Sequence, residues 1–505
     1  MRFNFLKRKV KETTNYEGAK AYQTTPETEL YAAVVTASLS DNFYENAGDR
    51  VARIGDLISK TDAVYVAQLA VYARTQMNMR SVPLVLAVEL AKRNSGNGVV
   101  SKAVNGVVKR ADEITELLAY YQAANKREGV KKLNKLSKQL QKGLAGSFNM
   151  FDEYQFAKYN RDAAIKMRDA LFLVHPKAKD DAQQALFNKI AANELAVPYT
   201  WETELSALGQ ATYENKEQKA VAVKAKWEEL IDSNKLGYMA VLRNLRNILL
   251  AGVTYEHIKK VCDYLTNKNA VAKSKQLPFR FLSAYREIQL VHSEYAAMIL
   301  AALEQAIKAS AVNIAGFDER SSVVIACDVS GSMQKNVSAR STVQLFDIGL
   351  VLGMLMQSRC KRTITGMFGV SWKVINMPSN NVLSNVQEFR RREGEVGYAT
   401  NGYKVIDDLI RTNTCADKVL MFTDCQLWDS KNGGNSLQRS WKAYRVMCPN
   451  AKLYLFDLAG YGNTPVDTKE GGVHLIAGWS DKIFDVLQAI EEGSNVVDKI
   501  KAIEL

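Results

Sequence analysis

Between about residues 28 and 310, apolar residues recur at helical spacing. Ile114, Leu117, Leu118 and Tyr121 stand at i, i+3, i+4 and i+7, and Ile258, Val261, Cys262 and Leu265 repeat the interval. Each set lines one face of a helix. Prolines are few, and Pro83, Pro176 and Pro278 punctuate helices. No strict sequence period runs through the region. Many helices without strands still predict stacked helical pairs of the solenoid type.

Near residue 315 the pattern changes. "SSVVIACDVS", "KVLMFTDC" and "AKLYLFDLAG" are short apolar runs, separated by helical stretches at 341–358, 402–412, 436–447 and 481–491. Alternating strand and helix predicts a parallel sheet with helices on both faces. In such sheets ligands bind beyond the carboxyl ends of the strands. The expected fold class is therefore α + α/β: an N-terminal segment at 1–27, a helical domain at 28–315 and a doubly wound α/β domain at 316–505.

Composition adds a partner. The 505-residue chain is 47% hydrophobic and 24% charged, with a formal net charge of +13. Residues 1–315 hold 45 Lys+Arg against 33 Asp+Glu, a balance of +12, whereas the remainder holds 22 against 21, a balance of +1. An anionic partner is thus expected on the helical part. The six cysteines form no C-x-x-C pair and are expected to be reduced thiols. The four histidines are scattered, which argues against a zinc site. "MRFNFLKRKVKETT" has no signal-peptide apolar core, and no apolar run reaches membrane-spanning length. The expectation is a soluble cytoplasmic protein without membrane association.

The run "VVIACDVSGSM" ends in Asp328, Ser330 and Ser332. Alternate residues of D-x-S-x-S let a turning backbone present three oxygen side chains to one point. "KVLMFTD" ends in Thr423 and Asp424, and the Gly-rich "GYATNG" between them carries Thr400. A hard divalent cation such as Mg²⁺ takes hydroxyl, carboxylate and water oxygens in octahedral array. The alternative is a turn closed by local side-chain to backbone bonds.

Two segments carry candidate anion contacts. In "KKLNKLSKQLQK", Lys131, Lys135, Lys138 and Lys142 are spaced 4, 3, 4, which places them on one stripe of a continuous helix, opposite Leu133, Leu136 and Leu140. The alternative is a solvated lysine face. In the following segment Lys158, Arg161, Arg168 and His175 are spaced 3, 7, 7, again one stripe, with Met167, Leu171 and Val174 turned toward a core. Arginine offers phosphate a bidentate fork, and histidine can stack on a base. Arg74, Arg80, Arg243, Arg246 and "KSKQLPFRFLSAYRE" add further basic positions.

Two resemblances follow. "DVSGSM", Thr400 and "FTD" resemble the metal-ion-dependent adhesion site of a von Willebrand factor A domain. That resemblance implies Mg²⁺ on Asp328, Ser330, Ser332 and Thr400, with Asp424 direct or through water, and an open position for an acidic group of a protein ligand. "LAVYARTQMNMRSVPLVL", "KQLQKGLAGSFNMFDEYQFAKYNRDAAIKMRDALFLVHPK", "LGYMAVLRNLRNI" and "QLPFRFLSAYRE" resemble the TROVE module of the Ro RNA-binding protein family, in a bacterial or phage-borne form. This implies a ring of HEAT-like helical repeats followed by the von Willebrand-like domain. It implies binding of small non-coding Y RNA outside and of single-stranded 3′ ends of misfolded or decaying RNAs within. It also implies tethering through the RNA to polynucleotide phosphorylase.

The expected role is thus a non-enzymatic RNA-binding scaffold in RNA quality control. The runner-up is a metal-dependent protein-recognition adaptor whose charge is incidental. A metal-dependent nuclease fits poorly, because two-metal sites need several carboxylates and this one offers two among hydroxyls. No Ser/His/Asp or Cys/His arrangement stands out as a nucleophile system.

Overall fold

The computed structural model describes residues 11–37, 45–94, 96–125, 136–160, 163–310, 321–338, 341–428 and 436–505. The chain divides into two compact units. One comprises the chain up to Leu57, Leu277–Ser283 and Ser310–Lys499; the other comprises Ile58–Gln276, Ala284–Ala309 and Ile500–Leu505.

The first unit is built on a six-stranded sheet. Its strands, in chain order, are β3 (Ser322–Asp328), β4 (Arg362–Phe368), β5 (Trp372–Val374), β6 (Lys418–Thr423), β7 (Lys452–Asp457) and β9 (Val473–Ala477). The spatial order is β5-β4-β3-β6-β7-β9. All neighbours are parallel except the edge strand β5, which runs antiparallel to β4. Val323 to Asp328 of β3 are all buried, as a central strand covered on both faces requires. Every residue of the Leu345–Gln357 helix is buried too. A Cβ on its Gly353 would lie 3.1 Å from Cys327 Sγ and 3.2 Å from Ile325 Cγ2, so glycine lets this helix lie close on the sheet.

A second, small sheet has the order β1-β2-β8, from β1 (Glu12–Thr14), β2 (Lys20–Gln23) and β8 (Asn463–Thr464). The N-terminal residues thus pair with the C-terminal region, and the expected boundary at residue 28 does not coincide with the edge of a compact unit. The Pro26–Val35 helix and most of the Ala47–Ser59 helix group with the sheet. Tyr31 Oη donates to the Ala477 carbonyl at 2.8 Å. Arg50 Nη2 donates to Ala459 O at 2.6 Å, and Arg53 Nη2 to Gly460 O at 2.7 Å. Glu45 accepts from both guanidinium groups, at 2.8 and 2.7 Å. Helical periodicity locates an apolar face but carries no information about which element covers it.

The reduced state expected of all six cysteines is also corrected. Cys415 and Cys448 form a disulfide, while Cys262, Cys327, Cys360 and Cys425 are free and buried. The two partners are 33 residues apart, and only packing of the Ser436–Met447 helix beside the start of β6 brings their Cα atoms to 5.8 Å. No described helix is long and apolar enough to cross a membrane.

The second unit is helical. The Ala63–Thr75 helix packs on Ser81–Arg93 and on Val99–Val107, which in turn packs on Lys138–Phe148. A Cβ on Gly143 would meet Val104 Cβ at 2.6 Å and Ser101 O at 2.8 Å, so the last two helices touch backbone to side chain. Several expected basic positions are ion-paired. Arg74 lies 2.9 Å from the fully buried Glu113, Arg80 3.2 Å from Asp112, and Arg246 3.3 Å from Glu287.

Arg50 and Glu45 form a buried ion pair, with side chains 1% and 4% exposed. Removing one partner of such a pair costs about 3–5 kcal/mol. Arg50→Ala is expected to lower unfolding free energy by that order in urea melts; a loss below about 1 kcal/mol would show that Arg50, through Ala459, does not hold the N-terminal helices to the sheet.

Candidate metal centre and candidate RNA interface

The parallel register of β3 and β6 pairs Cys327 with Phe422, so the next residues along, Asp328 and Thr423, come side by side at the carboxyl edge. Thr423 Oγ1 donates to Asp328 Oδ2 at 2.7 Å, and the Ser330 amide donates to Asp328 Oδ1 at 2.9 Å. After Asp328 the chain turns into a short 3-10 helix, Gly331–Gln334, which carries Ser332 back; the Ser330 and Ser332 hydroxyls lie 3.3 Å apart. Asp424 Oδ1 accepts from the Gln426 amide at 3.0 Å, and its buried Oδ2 has no hydrogen-bond partner among the described residues. Asp328, Ser330, Ser332, Thr400 and Asp424 are all buried.

Thr400 reaches this edge on a loop held by backbone contacts. The Gly331 amide donates to Tyr398 O at 3.2 Å, and the Asn401 amide to Gly369 O at 3.0 Å. A Cβ on Gly369 would lie 1.8 Å from Gly397 O, so the loop crosses β4's end with no room for a side chain. Thr400 Oγ1 accepts from the Trp428 amide at 2.6 Å. The structure thus joins Asp328, Ser330 and Ser332 through hydrogen bonds, sets Asp424 near enough to feel the charge of Asp328, and binds the Thr400 loop beside them. Thr423 was not among the expected ligands; its position at a strand end was the available signal, and its role here is to orient Asp328.

Burial pushes the Asp328 carboxyl up from its ordinary range, against the pull of hydrogen bonds from Thr423 and Ser330. Burial raises Asp424 as well, and the negative charge of Asp328 adds to it. Two carboxylates held together in a dry site repel each other when both ionise. A small dication would relieve that repulsion and give the unpartnered Asp424 oxygen something to bind. The donors are all hydroxyl and carboxylate oxygens, the set a hard cation accepts. The residues therefore fit a Mg²⁺-like ion.

The basic positions are arranged differently from the expectation. Lys131, Lys135 and Arg161 lie outside the described residues. The helix expected over 131–142 begins at Lys138, with Ser137 in an extended N-cap conformation. Its register is set by the buried face of Leu140, Gly143, Leu144, Ser147 and Phe148. Lys138 and Lys142 are exposed one turn apart. The stripe expected from Lys158 to His175 is broken. Glu153–Tyr159 and Met167–Val174 are separate helices, and Asp169 fixes the second start by accepting from the Lys166 amide at 3.2 Å. His175 closes that helix in the left-handed region at φ 49°, so it sits beyond the helix and not on its face.

Tertiary packing nevertheless gathers some of these residues. Gln141, between Lys138 and Lys142, donates to Leu173 O at 3.4 Å and Val174 O at 3.1 Å, next to His175. Exposed aromatic rings stand beside the cations. Arg168 Cζ is 5.7 Å from the Phe172 ring and Lys158 Nζ 5.5 Å from Tyr154, and these rings are 51% and 45% exposed. Arg110 Cζ lies 4.2 Å from the Tyr159 ring. Arg110, Tyr154, Tyr159 and Phe172 were missed as candidates; aromatics interleaved with cations were the signal.

A family profile of the TROVE domain matches residues 36–197 and 192–326, more than half of the chain. The chain belongs to the TROVE family. It is similar to telomerase protein component 1 of Mus musculus, at 39% identity over 101 residues, 20% of this chain and 3% of that protein. Against telomerase protein component 1 of Rattus norvegicus the identity is 24% over 308 residues, 46% of this chain and 11% of that protein. The chain therefore spans only a small part of these relatives' length. Among solved structures, the crystal structure of the Deinococcus radiodurans RO (RSR) protein matches with a TM-score of 0.60 and 18% identity, covering 93% of this chain and all of that one. The likeness establishes the α + α/β fold.

The TROVE match contains every described basic candidate from Lys138 to His175 and stops at residue 326, two residues before Asp328. The oxygen cluster of this TROVE protein rests on its own geometry. A carboxyl raised in the folded state is protonated there while its unfolded counterpart is already ionised. Stability from that proton is present at low pH and lost as pH rises through the raised values. Asp424→Asn removes one charge of the pair. Without divalent cations it is expected to be more stable relative to wild type at pH 8 than at pH 5 in thermal melts. An equal difference at both pH values would mean that the two carboxylates do not repel.

Proposed function

We propose that this protein binds RNA without acting on it, as membership of the TROVE family implies. The observation that carries the reading is the match of that family across the helical unit, whose exposed lysines and arginines stand beside exposed rings. Lys138, Lys142, Lys158 and Arg168 supply phosphate contacts, and His175, Phe172 and Tyr154 supply faces for unpaired bases. Neither arrangement is a base-reading groove, so selectivity falls on RNA architecture: a structured small RNA of the Y RNA kind, and single-stranded 3′ ends of misfolded or decaying RNAs. Such a protein serves as a cytoplasmic scaffold in RNA quality control, with polynucleotide phosphorylase reached through the RNA.

The oxygen cluster is proposed as an adhesion-type Mg²⁺ site. Asp328, Ser330 and Ser332 hold the ion, Thr400 and Asp424 complete the shell directly or through water, and an acidic protein group is the ligand. The adaptor reading without RNA gains no separate support, because the family match falls on the helical unit.

Two measurements test this. In filter binding to a duplex with a 3′ tail, Lys142→Ala and Arg168→Ala should each weaken binding and flatten the slope of log K against log salt by about 0.7–0.9. Phe172→Ala should cost about 1–3 kcal/mol with the slope unchanged. A blunt duplex that competes as well as the tailed RNA would leave surface binding only. Separately, Asp328→Ala should abolish the Mg²⁺-dependent rise in melting temperature while RNA affinity stays within about twofold, since the basic residues belong to the other unit. An Mg²⁺ response that survives the substitution would remove the ion from this site.

A further inference from the structure

Strand β6 ends at Thr423, and the stretch that follows it carries the amides that fix two members of the oxygen cluster. The Gln426 amide donates to Asp424 Oδ1 at 3.0 Å, and the Trp428 amide to Thr400 Oγ1 at 2.6 Å. Where those amides point depends on the path of residues 425–428. That path begins with strain, because Cys425 takes φ 61°. A left-handed conformation at a residue with a side chain persists only where its surroundings over-determine it. Much of that fixing comes from the small sheet. Asn15 Nδ2, in the turn between β1 and β2, donates to Leu427 O at 2.9 Å, and the Tyr16 amide donates to Gln426 Oε1 at 2.9 Å. From its other end the Gln426 side chain donates to Asn463 Oδ1 of β8 at 3.2 Å and to Asp424 O at 3.3 Å.

The grip is firm on both sides. Asn15 and Gln426 are buried, so their bonds form away from competing water. The turn is closed on itself: the Ala19 amide donates to Asn15 Oδ1 at 2.8 Å, and the Gly18 amide to Asn15 O at 3.0 Å. A turn 412 residues away in the chain therefore holds the stretch whose amides orient Asp424 and Thr400. Resting on the reading of the cluster as a divalent-cation site, we propose that Asn15 and Gln426 are positioning residues for that ion. They fix the path of residues 425–428 and, through its amides, the oxygens of Asp424 and Thr400. The coupling runs both ways. If docking of the turn strengthens ion binding by some factor, the ion strengthens docking of the turn by the same factor. The β1–β2 hairpin is thus also the element that registers whether the ion is bound.

The test uses the full chain. Mn²⁺ binding is followed by electron paramagnetic resonance and calorimetry, and hydrogen exchange of the segment 12–23 by mass spectrometry with and without Mg²⁺. Asn15→Ala and Gln426→Met should each weaken Mn²⁺ binding on the order of tenfold, the low end for loss of a group that orients a metal ligand. In wild type, Mg²⁺ should slow exchange of the hairpin by a similar factor, because the coupling is reciprocal. In Asp328→Ala it should not. A merely structural role would lower the metal-free melting temperature and leave both readouts unmoved. Mn²⁺ affinity equal to wild type in either folded variant overturns the proposal, and so does wild-type hairpin exchange that ignores Mg²⁺. Gln426 is buried; if Gln426→Met does not melt cooperatively, Asn15→Ala and the wild-type exchange decide. If wild type and Asp328→Ala bind Mn²⁺ equally or not at all, the metal site itself is wrong and the proposal falls with it. Binding that depends on Asp328 but ignores Asn15 and Gln426 leaves the site standing and removes only the positioning role.

Discussion

Two neighbouring parallel strands each deliver a carboxylate to the same dry edge of a sheet, and much of the surrounding structure follows from accommodating them. Parallel pairing places Asp328 beside Thr423 and, one residue on, close to Asp424. An isolated buried carboxylate is costly, and two are worse. The local sequence answers with donors: Thr423 and the Ser330 amide on one acid, the Gln426 amide on the other. One oxygen of Asp424 has no hydrogen-bond partner among the described residues. The site is therefore a set of hard oxygen donors that carries two acids, the chemistry on which the proposal of a bound cation rests.

Glycine sets the distances elsewhere. Gly353 brings a wholly buried helix down to β3, Gly369 lets the Thr400 loop cross the end of β4, and Gly143 seats the Lys138–Phe148 helix against its neighbour. This last contact determines which residues of the helix face inward, and so leaves Lys138 and Lys142 outside. The basic surface is thus a by-product of core packing, and the rings of Tyr154 and Phe172 remain exposed beside cations at some cost in apolar area. Single exposed rings are common on proteins; rings repeatedly paired with cations within one region are suited to nucleic acid.

The fold class, the parallel sheet and the gathering of oxygen side chains at a strand end were legible because each follows from local pattern. Runs such as "SSVVIACD" are apolar throughout because a central parallel strand is buried on both faces, and alternate oxygens after a strand make sense only at its end. Longer inferences along one helix failed. The spacing of Lys158, Arg161, Arg168 and His175 suggested a single stripe, yet Asp169 starts a new helix at Met167 and His175 caps it. Periodicity assumes a continuous helix, and a cap that interrupts it rotates every later position.

The sequence by itself determined the change from a helical to an alternating strand-and-helix pattern, where the charge lies and which oxygen side chains follow a strand, since these depend on neighbours a few residues away. Tertiary structure alone decided what sits together across separations from 33 to 446 residues. Asn15 binds Leu427, Tyr31 binds Ala477, Arg50 binds Ala459, and Cys415 meets Cys448. Each is a polar or covalent contact between segments whose local patterns are silent about one another. A buried carbonyl or guanidinium can be satisfied by any suitably placed partner, and only the packed chain selects which one is in reach.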